Sequence, residues 1–597
     1  MSAVAFQRTA GEMAVEAWRP LDRALYRWVL AHGGDAPLAT TAAWTSFADG
    51  QGDAALSLAE SRHGMALPDA AQIAALRTSN FVASSDADGL RPFFLDAEDR
   101  FYLWRNHAHE TAIAAAVIER RTQATSANVD DTDIDLLFQG DRSARVAAQR
   151  EAVQSVGGKR LFVLTGGPGT GKTTTVLRMV LMLQWQAQQP LSIRIAAPTG
   201  KAAQRLVQAL REGKQKLREA ALPPDWLALL DAIPDSEALT VHRLLGYQPW
   251  RNAFVRGVRD PLAADVVIID EASMVDLAML RSLLDAVRPQ ATLILVGDAN
   301  QLTSVATGSV LGDLVSALAS DPRGDLVRLE HSFRAERHLV AVNEAVRIGD
   351  GEALANALAA SDGQAVPHAV ADERALRERL SAWANSLAAI DALRTALPPS
   401  SNTDIDASNT QRDALVRSAL AALGQRQLLC ALRETGFGTV AINDAIESLL
   451  RRAWQVDAGA EWYPGRAVIV TRNDYGAGLY NGDVGLCLAD SAGRLRVWFE
   501  IAGGVRSFAP HTLPAHEPAF AITIHKSQGS EYSHAAVLLP PDAEHRILSR
   551  QLLYTGVSRA KRSVEIWATP ATVQSALATE TRRVGGLQGR VEDGGEA

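Results

Sequence analysis

The stretch Leu161-Phe162-Val163-Leu164-Thr165-Gly166-Gly167-Pro168-Gly169-Thr170-Gly171-Lys172-Thr173-Thr174 decides how the rest of the chain is read. A short apolar run ends in a glycine-rich turn that fits G-x-x-x-x-G-K-[ST], and Thr174–Gln186 continues at helical spacing. Strand, loop and helix in that order predict a phosphate-binding loop. Glycines let successive backbone N–H groups turn inward around phosphates, and the helix N-terminus adds positive potential. Gly166, Gly167, Pro168, Gly169, Thr170 and Gly171 are expected to form the cradle, running into Lys172, Thr173 and Thr174. Lys172 would reach the β- and γ-phosphates of a nucleoside triphosphate, and the Thr173 hydroxyl would ligate Mg²⁺.

Outward from this loop, β-branched runs alternate with helical patterns from about residue 145 to 330. Arg160–Thr165, Ser192–Ala197, Val266–Asp270 and Thr292–Gly297 each precede a turn and an amphipathic stretch. That alternation predicts a parallel sheet covered by helices, an α/β class. The apolar run Val266–Ile269 opens into Asp270 and Glu271. A carboxylate at the C-terminal end of a parallel strand faces the ligand crevice. Asp270 is therefore expected in the Mg²⁺ shell with Thr173, and Glu271 as the group that orients and deprotonates the attacking water. Gln301, in Gly297-Asp298-Ala299-Asn300-Gln301-Leu302, is a neutral amide placed to sense a γ-phosphate.

At 597 residues the chain is too long for one compact domain; roughly 150 residues per domain suggests about four. Hydrophobic residues at 47% and charged residues at 21% describe a folded globular protein. Two cysteines exclude a disulfide framework and any four-cysteine metal site, and suit a cytoplasmic protein. Met1–Trp18 carries no export signal, and the apolar stretch Val176–Trp185 is too short to span a bilayer and contains Arg178. Residues 1–140 hold 11 Arg, no Lys and 19 Asp or Glu, so this segment carries the whole net charge of −8. An acidic segment suits protein partners better than phosphates. It reads as mostly helical, with Trp18, Trp28, Trp44 and Trp104 as core or interface anchors.

Further motifs follow in a fixed order. Ile195-Ala196-Ala197-Pro198-Thr199-Gly200-Lys201 puts a hydroxyl and an ammonium at a strand end, suited to a DNA phosphate. Leu329-Glu330-His331-Ser332-Phe333-Arg334 offers an arginine after a short strand. Near the C-terminus come Ala521-Ile522-Thr523-Ile524-His525-Lys526-Ser527-Gln528-Gly529-Ser530-Glu531-Tyr532 and Leu553-Tyr554-Thr555-Gly556-Val557-Ser558-Arg559-Ala560-Lys561. Between the shared motifs lie Gln149 before the phosphate loop, Thr240-Val241-His242-Arg243-Leu244-Leu245-Gly246, and Gln427–Arg433. Over about residues 140–570 this set resembles the superfamily 1 DNA helicases, in the 5′-to-3′ branch that includes the RecD subunits of RecBCD complexes (exodeoxyribonuclease V).

The resemblance implies two RecA-like parallel-sheet lobes with ATP and Mg²⁺ between them. Gln149 would read the adenine, and Arg334 and Arg559 would reach from the second lobe as arginine fingers. Thr199, Lys201, His242, Thr523, His525 and Lys526 would contact DNA. The segment Gly246–Pro261, with Tyr247, Trp250 and Phe254, would be a β-hairpin pin that splits the duplex. The implied activity is ATP-driven 5′-to-3′ unwinding in double-strand-break repair and recombination. The implied partners are single-stranded and duplex-end DNA, with RecB-like and RecC-like subunits, the nuclease lying in another subunit. A stand-alone RecD-like helicase is the alternative; residues 1–140 show none of the helix-hairpin-helix repeats that such proteins carry.

The expected organisation is a helical partner-docking domain over 1–140 and a first lobe over 141–330. A second lobe covers 331–597, with a helical insert at about 360–425 and a small β module at about 462–515. Residues 580–597, polar and glycine-rich, read as a loose tail.

Overall fold

The computed structural model describes residues 18–594, except 86–87, 126–128, 221, 236–237, 334–336, 398–404, 458, 475, 491 and 502–503. Two parallel sheets form the centres of two α/β lobes. In the first, Leu161–Gly166 lies between Leu326–Leu329 and Thr292–Gly297, followed outward by Val266–Ile269, Ile193–Ala197 and Leu239–Thr240. All five pairings are parallel. The near-continuous apolar runs of these strands follow from burial on both faces. Leu161 and Val163 feed one core, with Leu280, Leu283 and Leu314 of the helices Leu277–Ala286 and Val310–Leu318. Phe162 and Leu164 feed the other, with Val176, Met179 and Val180 of the helix Lys172–Ala187. Each fully buried side chain of this size contributes about 1.5–3 kcal/mol.

The second sheet has the order Ala365–His368, Ala560–Trp567, Tyr532–Leu538, Arg426–Cys430, Ala521–Thr523, again all parallel. Residues 360–425 are thus no separate insert. Their strand Ala365–His368 forms an edge of the lobe sheet, and Leu376, Leu380 and Trp383 join the lobe core. Pro367 hides this strand from sequence reading, because proline in a strand is confined to edges. Pro398-Pro399-Ser400-Ser401-Asn402, which reads from its composition as an exposed loop, lies outside the described residues. Between Arg426–Cys430 and Ala521–Thr523 the chain forms the β module, a five-stranded antiparallel sheet. Its strands Ala467–Val470 and Leu495–Ile501 lie within one residue of the β-branched and aromatic runs Ala467–Thr471 and Arg496–Glu500 that the sequence shows.

The N-terminal unit is helical in part only. Beside the helices Pro20–Ala31, Ala36–Gly50, Ala70–Thr78 and Trp104–Thr122 it holds a four-stranded sheet of Ala55–Ser57, Arg100–Leu103, Phe93–Leu95 and Val82–Ala83. Runs of two to four residues are too short for periodicity to separate strand from helix. The helix Trp104–Thr122 is also part of the first lobe's packing. Ile113, Ala114 and Val117 enter the core of that lobe, and the buried Arg120 guanidinium donates to the carbonyls of Val287, Arg288 and Ala291. Arg121 pairs with Asp325 at 2.9 Å, both side chains 2% exposed. The change in composition near residue 140 is therefore not a packing boundary.

The C-terminal segment is not a loose tail. Arg583 donates to the carbonyls of Ser304, Ala306 and Gly308 in the first lobe. The Val584 N–H donates to Asp53, and the Gly586 N–H to the buried Glu110 carboxylate. The helix Leu587–Asp593 then buries Leu587 and Val591 in the core that holds Ile113 and Leu314. Two apolar positions in a polar, glycine-rich segment give no periodic signal, yet they suffice once a groove between two units is available. No helix among the described residues is long and apolar enough to cross a membrane.

Candidate active site

The phosphate loop follows its strand directly, and Gly169 and Gly171 take φ of +76° and +82°, the left-handed region that glycine enters without steric cost. At Gly171 a β-carbon would stand 2.5 Å from the Gln149 amide nitrogen. That amide donates to the Thr170 carbonyl at 3.0 Å, so Gln149 is 5% exposed and braced against the loop, where a nucleobase reader would stand. Lys172 Nζ donates to the carbonyls of Gly166 at 2.7 Å and Gly167 at 3.0 Å. The ammonium lies folded onto the loop.

Lys172, Thr173, Thr174, Asp270, Glu271, Gln301 and Arg559 line one cavity of about 210 Å³ with Gly169 and Gly171, whereas Gly166 and Gly167 line a neighbouring cavity with Tyr554. Burial pushes the Asp270 carboxyl up to about 6, the Glu271 charge adds to that, and the Lys172 ammonium opposes it. Glu271 sits at φ +53°, ψ +40°, a left-handed conformation that costs a non-glycine residue about 1–2 kcal/mol. Such strain at the mouth of a ligand cavity is characteristic of a residue held for chemistry. A desolvated carboxylate, a nearby hydroxyl and an amide-lined loop are the donor set a Mg²⁺–triphosphate requires.

The second lobe closes this cavity. Gln301 Oε1 accepts from Arg559, whose other donors go to the carbonyls of Thr555 at 3.1 Å and Ser530 at 3.2 Å. Arg559 is 3% exposed, and among the described residues its hydrogen-bond acceptors are all neutral. A buried guanidinium without an anionic partner is poised for one. Arg334 lies outside the described residues. Two contributors escaped the sequence reading. Arg205, on the helix Gly200–Glu219, crosses to the Glu531 carboxylate at 2.9 Å, which also takes Lys561 at 3.3 Å. Phe333, 49% exposed, stands 3.8 Å from the position of a Gly171 β-carbon, beside Gln149, an open ring where a base could stack. Only the phenylalanine's place one residue before Arg334 hinted at it.

The candidate DNA contacts fall into two groups. Thr199–Lys201 and His242 follow the neighbouring strands Ile193–Ala197 and Leu239–Thr240, so they share one end of the first sheet. Thr523, His525 and Lys526 end the edge strand Ala521–Thr523 of the second. Several also have structural duties. The Thr199 hydroxyl caps the helix Gly200–Glu219 by accepting from the Ala202 N–H at 3.2 Å, and the Thr523 hydroxyl accepts from the Lys526 N–H at 3.3 Å. His242 packs against Tyr247 and Phe254, and burial lowers its basicity as it does that of His525.

The β module touches both groups. A β-carbon on Gly200 would lie 2.9 Å from Tyr480, and Lys526 Nζ pairs with Glu517 at 2.8 Å. Burial pushes Lys201 down to about 8, and Asp483 of the module partly restores it. Tyr247–Gln248 and Ala253–Phe254 form an antiparallel hairpin whose tip residue Trp250 is 77% exposed. Replacing Trp250 by alanine is expected to lower duplex unwinding at least fivefold while leaving single-strand-stimulated ATP hydrolysis within twofold. Equal loss of both rates in the two assays would make this ring a folding element instead.

Comparison with known proteins agrees with this geometry. Residues 149–307 match the AAA domain family, and residues 518–566 the UvrD-like helicase C-terminal domain. The RecBCD enzyme subunit RecD of Mycobacterium tuberculosis is 36% identical over 542 residues, 88% of this chain and 86% of its own length. That of Haemophilus influenzae is 32% identical over 480 residues, 74% of this chain and 72% of its own. The ATP-dependent RecD2 DNA helicase of Deinococcus radiodurans is 29% identical over 415 residues, but these make up 69% of this chain and 47% of that protein. Identity at this level over nearly the whole length, on a nucleotide cavity closed by two parallel-sheet lobes, shows that the chain belongs to the RecD family of ATP-dependent DNA helicases.

Proposed function

We propose that this chain moves 5′ to 3′ along single-stranded DNA as the RecD-type motor of a heterotrimer with RecB-like and RecC-like subunits, opening DNA ends in double-strand-break repair and recombination. The observation that carries the reading is the Gln301–Arg559 bond across the two lobes. A triphosphate entering between these groups changes the contact that holds the lobes together, so binding and hydrolysis become closing and opening. Thr173 and Asp270 would hold Mg²⁺, which when bound neutralises charge developing on the β- and γ-phosphates. Lys172 cradles those phosphates, Glu271 takes the proton of the attacking water, and Arg559 turns from the Gln301 amide to the γ-phosphate.

Thr199, Lys201, His242, Thr523, His525 and Lys526 supply a sequence-independent grip, of which Lys201 and Lys526 lie under the β module. The acidic N-terminal unit supports the protein-docking assignment. Leu21, Trp28 and Leu30 on the helix Pro20–Ala31, and Leu90, are 64%, 39%, 39% and 85% exposed, an apolar set that suits a partner surface. The assembly reading is preferred to the stand-alone one because the chain is 36% identical to the M. tuberculosis RecD over 542 residues and 29% identical to RecD2 over 415.

Polarity is tested with duplexes bearing one 5′ or one 3′ single-stranded overhang. Unwinding is expected from the 5′ overhang, at least tenfold faster than from the 3′. The reverse preference would reject the direction assigned here.

A further inference from the structure

We propose that Asp298 and Tyr554 are positioning residues for ATP hydrolysis: a buried carboxylate–phenol bridge that sets the orientation of Gln301 according to whether the lobes are closed. The proposal rests on the placement of Gln301 and Arg559 at the γ-phosphate.

Asp298 follows the strand Thr292–Gly297 and is 1% exposed. One carboxylate oxygen, Oδ2, accepts from Gln301 Nε2 at 3.0 Å and from the Tyr554 hydroxyl at 3.0 Å. The other, Oδ1, accepts from the Asn300 N–H at 3.0 Å. Gln301 comes from the first lobe, and Tyr554 from the helix Arg550–Val557 of the second. Tyr554 is 3% exposed, and burial together with the Asp298 charge holds its hydroxyl protonated, so it is the donor. Its oxygen also lies against the phosphate loop, 3.1 Å from where a Gly167 β-carbon would stand.

The consequence is one of hydrogen-bond polarity. A glutamine amide has a donor end and an acceptor end, and either could face the nucleotide. Asp298 Oδ2 accepts, so it fixes the NH₂ end of Gln301 and turns the amide carbonyl toward Arg559. The opposite orientation would point N–H groups at a guanidinium. Tyr554 shares the same oxygen, so docking of its helix adds a second donor to Asp298 and registers closure at the sensor. Two further bonds keep these elements in line: the Leu302 N–H donates to the Thr555 hydroxyl at 2.8 Å, and Gln528 Nε2 to the Leu302 carbonyl at 2.8 Å. The low-dielectric surroundings strengthen such a network and make its members interdependent.

The test measures DNA-stimulated ATP hydrolysis by the full chain in four forms: wild type, Tyr554→Phe, Asp298→Asn and the double variant. Tyr554→Phe keeps the ring and removes only the hydroxyl. It is expected to lower kcat about tenfold with KM for ATP within twofold. Asp298→Asn allows Gln301 to reverse and is expected to lower kcat about 100-fold. The double variant should be no worse than Asp298→Asn alone, since both act through one bridge. Wild-type kcat in Tyr554→Phe, a KM change larger than the kcat change, or losses that multiply in the double variant would each overturn the bridge. Arg559→Ala separates this from the underlying reading: if it hydrolyses ATP normally, the finger assignment falls and the bridge with it. An inactive Arg559→Ala beside a fully active Tyr554→Phe removes the bridge alone.

Discussion

Replacing Lys172 by glutamine is expected to lower ATP turnover about 10³-fold or more, a loss of about 4 kcal/mol of transition-state stabilisation. The reason is charge, not loop shape. Gly169 and Gly171 hold the loop through their own positive φ values, and Gln149 braces it from behind at the Thr170 carbonyl. The variant loop should therefore keep its path. What disappears is the ammonium that lines the cavity with Asp270 and that in this structure rests on the carbonyls of Gly166 and Gly167. Steady-state ATPase with saturating single-stranded DNA measures the effect, with circular dichroism as the control for folding. Wild-type turnover would falsify the phosphate-loop assignment.

The second large effect is expected at Glu271→Gln, where nucleotide binding and hydrolysis should separate. Loss of a general base lowers turnover about 10²–10⁴-fold. Binding should persist, because Asp270, Thr173 and the loop are untouched and glutamine fits the same space. The left-handed backbone at this position strains glutamine no more than glutamate, so the variant inherits the geometry without a new stability cost. Fluorescent-nucleotide titration reads the first quantity and single-turnover hydrolysis the second. A variant that neither binds nor hydrolyses would move Glu271 from proton transfer to cation binding.

The two residues also show what local sequence can and cannot convey. An apolar run, two glycines at left-handed positions and a helix start are nearest-neighbour matters, so strand Leu161–Gly166 and its loop were legible within one residue. The same holds for Val266–Ile269 and for the Asp270–Glu271 pair that follows it. Thr199 shows the limit: a hydroxyl after a strand reads as a phosphate contact, but the first demand on it is local, to cap the helix that starts at Gly200. Lys526 reads as a free cation, yet Glu517, nine residues earlier and on another strand, lies 2.8 Å from it. The helix Leu587–Asp593 was illegible for a different reason. Its two buried side chains find their partners on the helices Trp104–Thr122 and Val310–Leu318, far back along the chain.

Chain order and spacing were enough to place a glycine-rich loop after its strand, the Asp270–Glu271 pair at the end of another and Gln301 after a third, and to propose roles for them. These depend on backbone conformation and side-chain periodicity, which act over a few residues. Which of these groups meet was decided only by folding. Gln301 and Arg559 are 258 positions apart, and Asp298 and Tyr554 256. Neither pairing leaves a local trace, because a hydrogen bond between lobes is set by how two separately formed cores dock. The same docking wove the C-terminal segment between the N-terminal unit and the first lobe, and brought the β module over both groups of candidate DNA contacts. Burial makes these contacts consequential: once water is excluded, each unpaired polar group costs more than any local propensity can repay, so tertiary packing selects the partners.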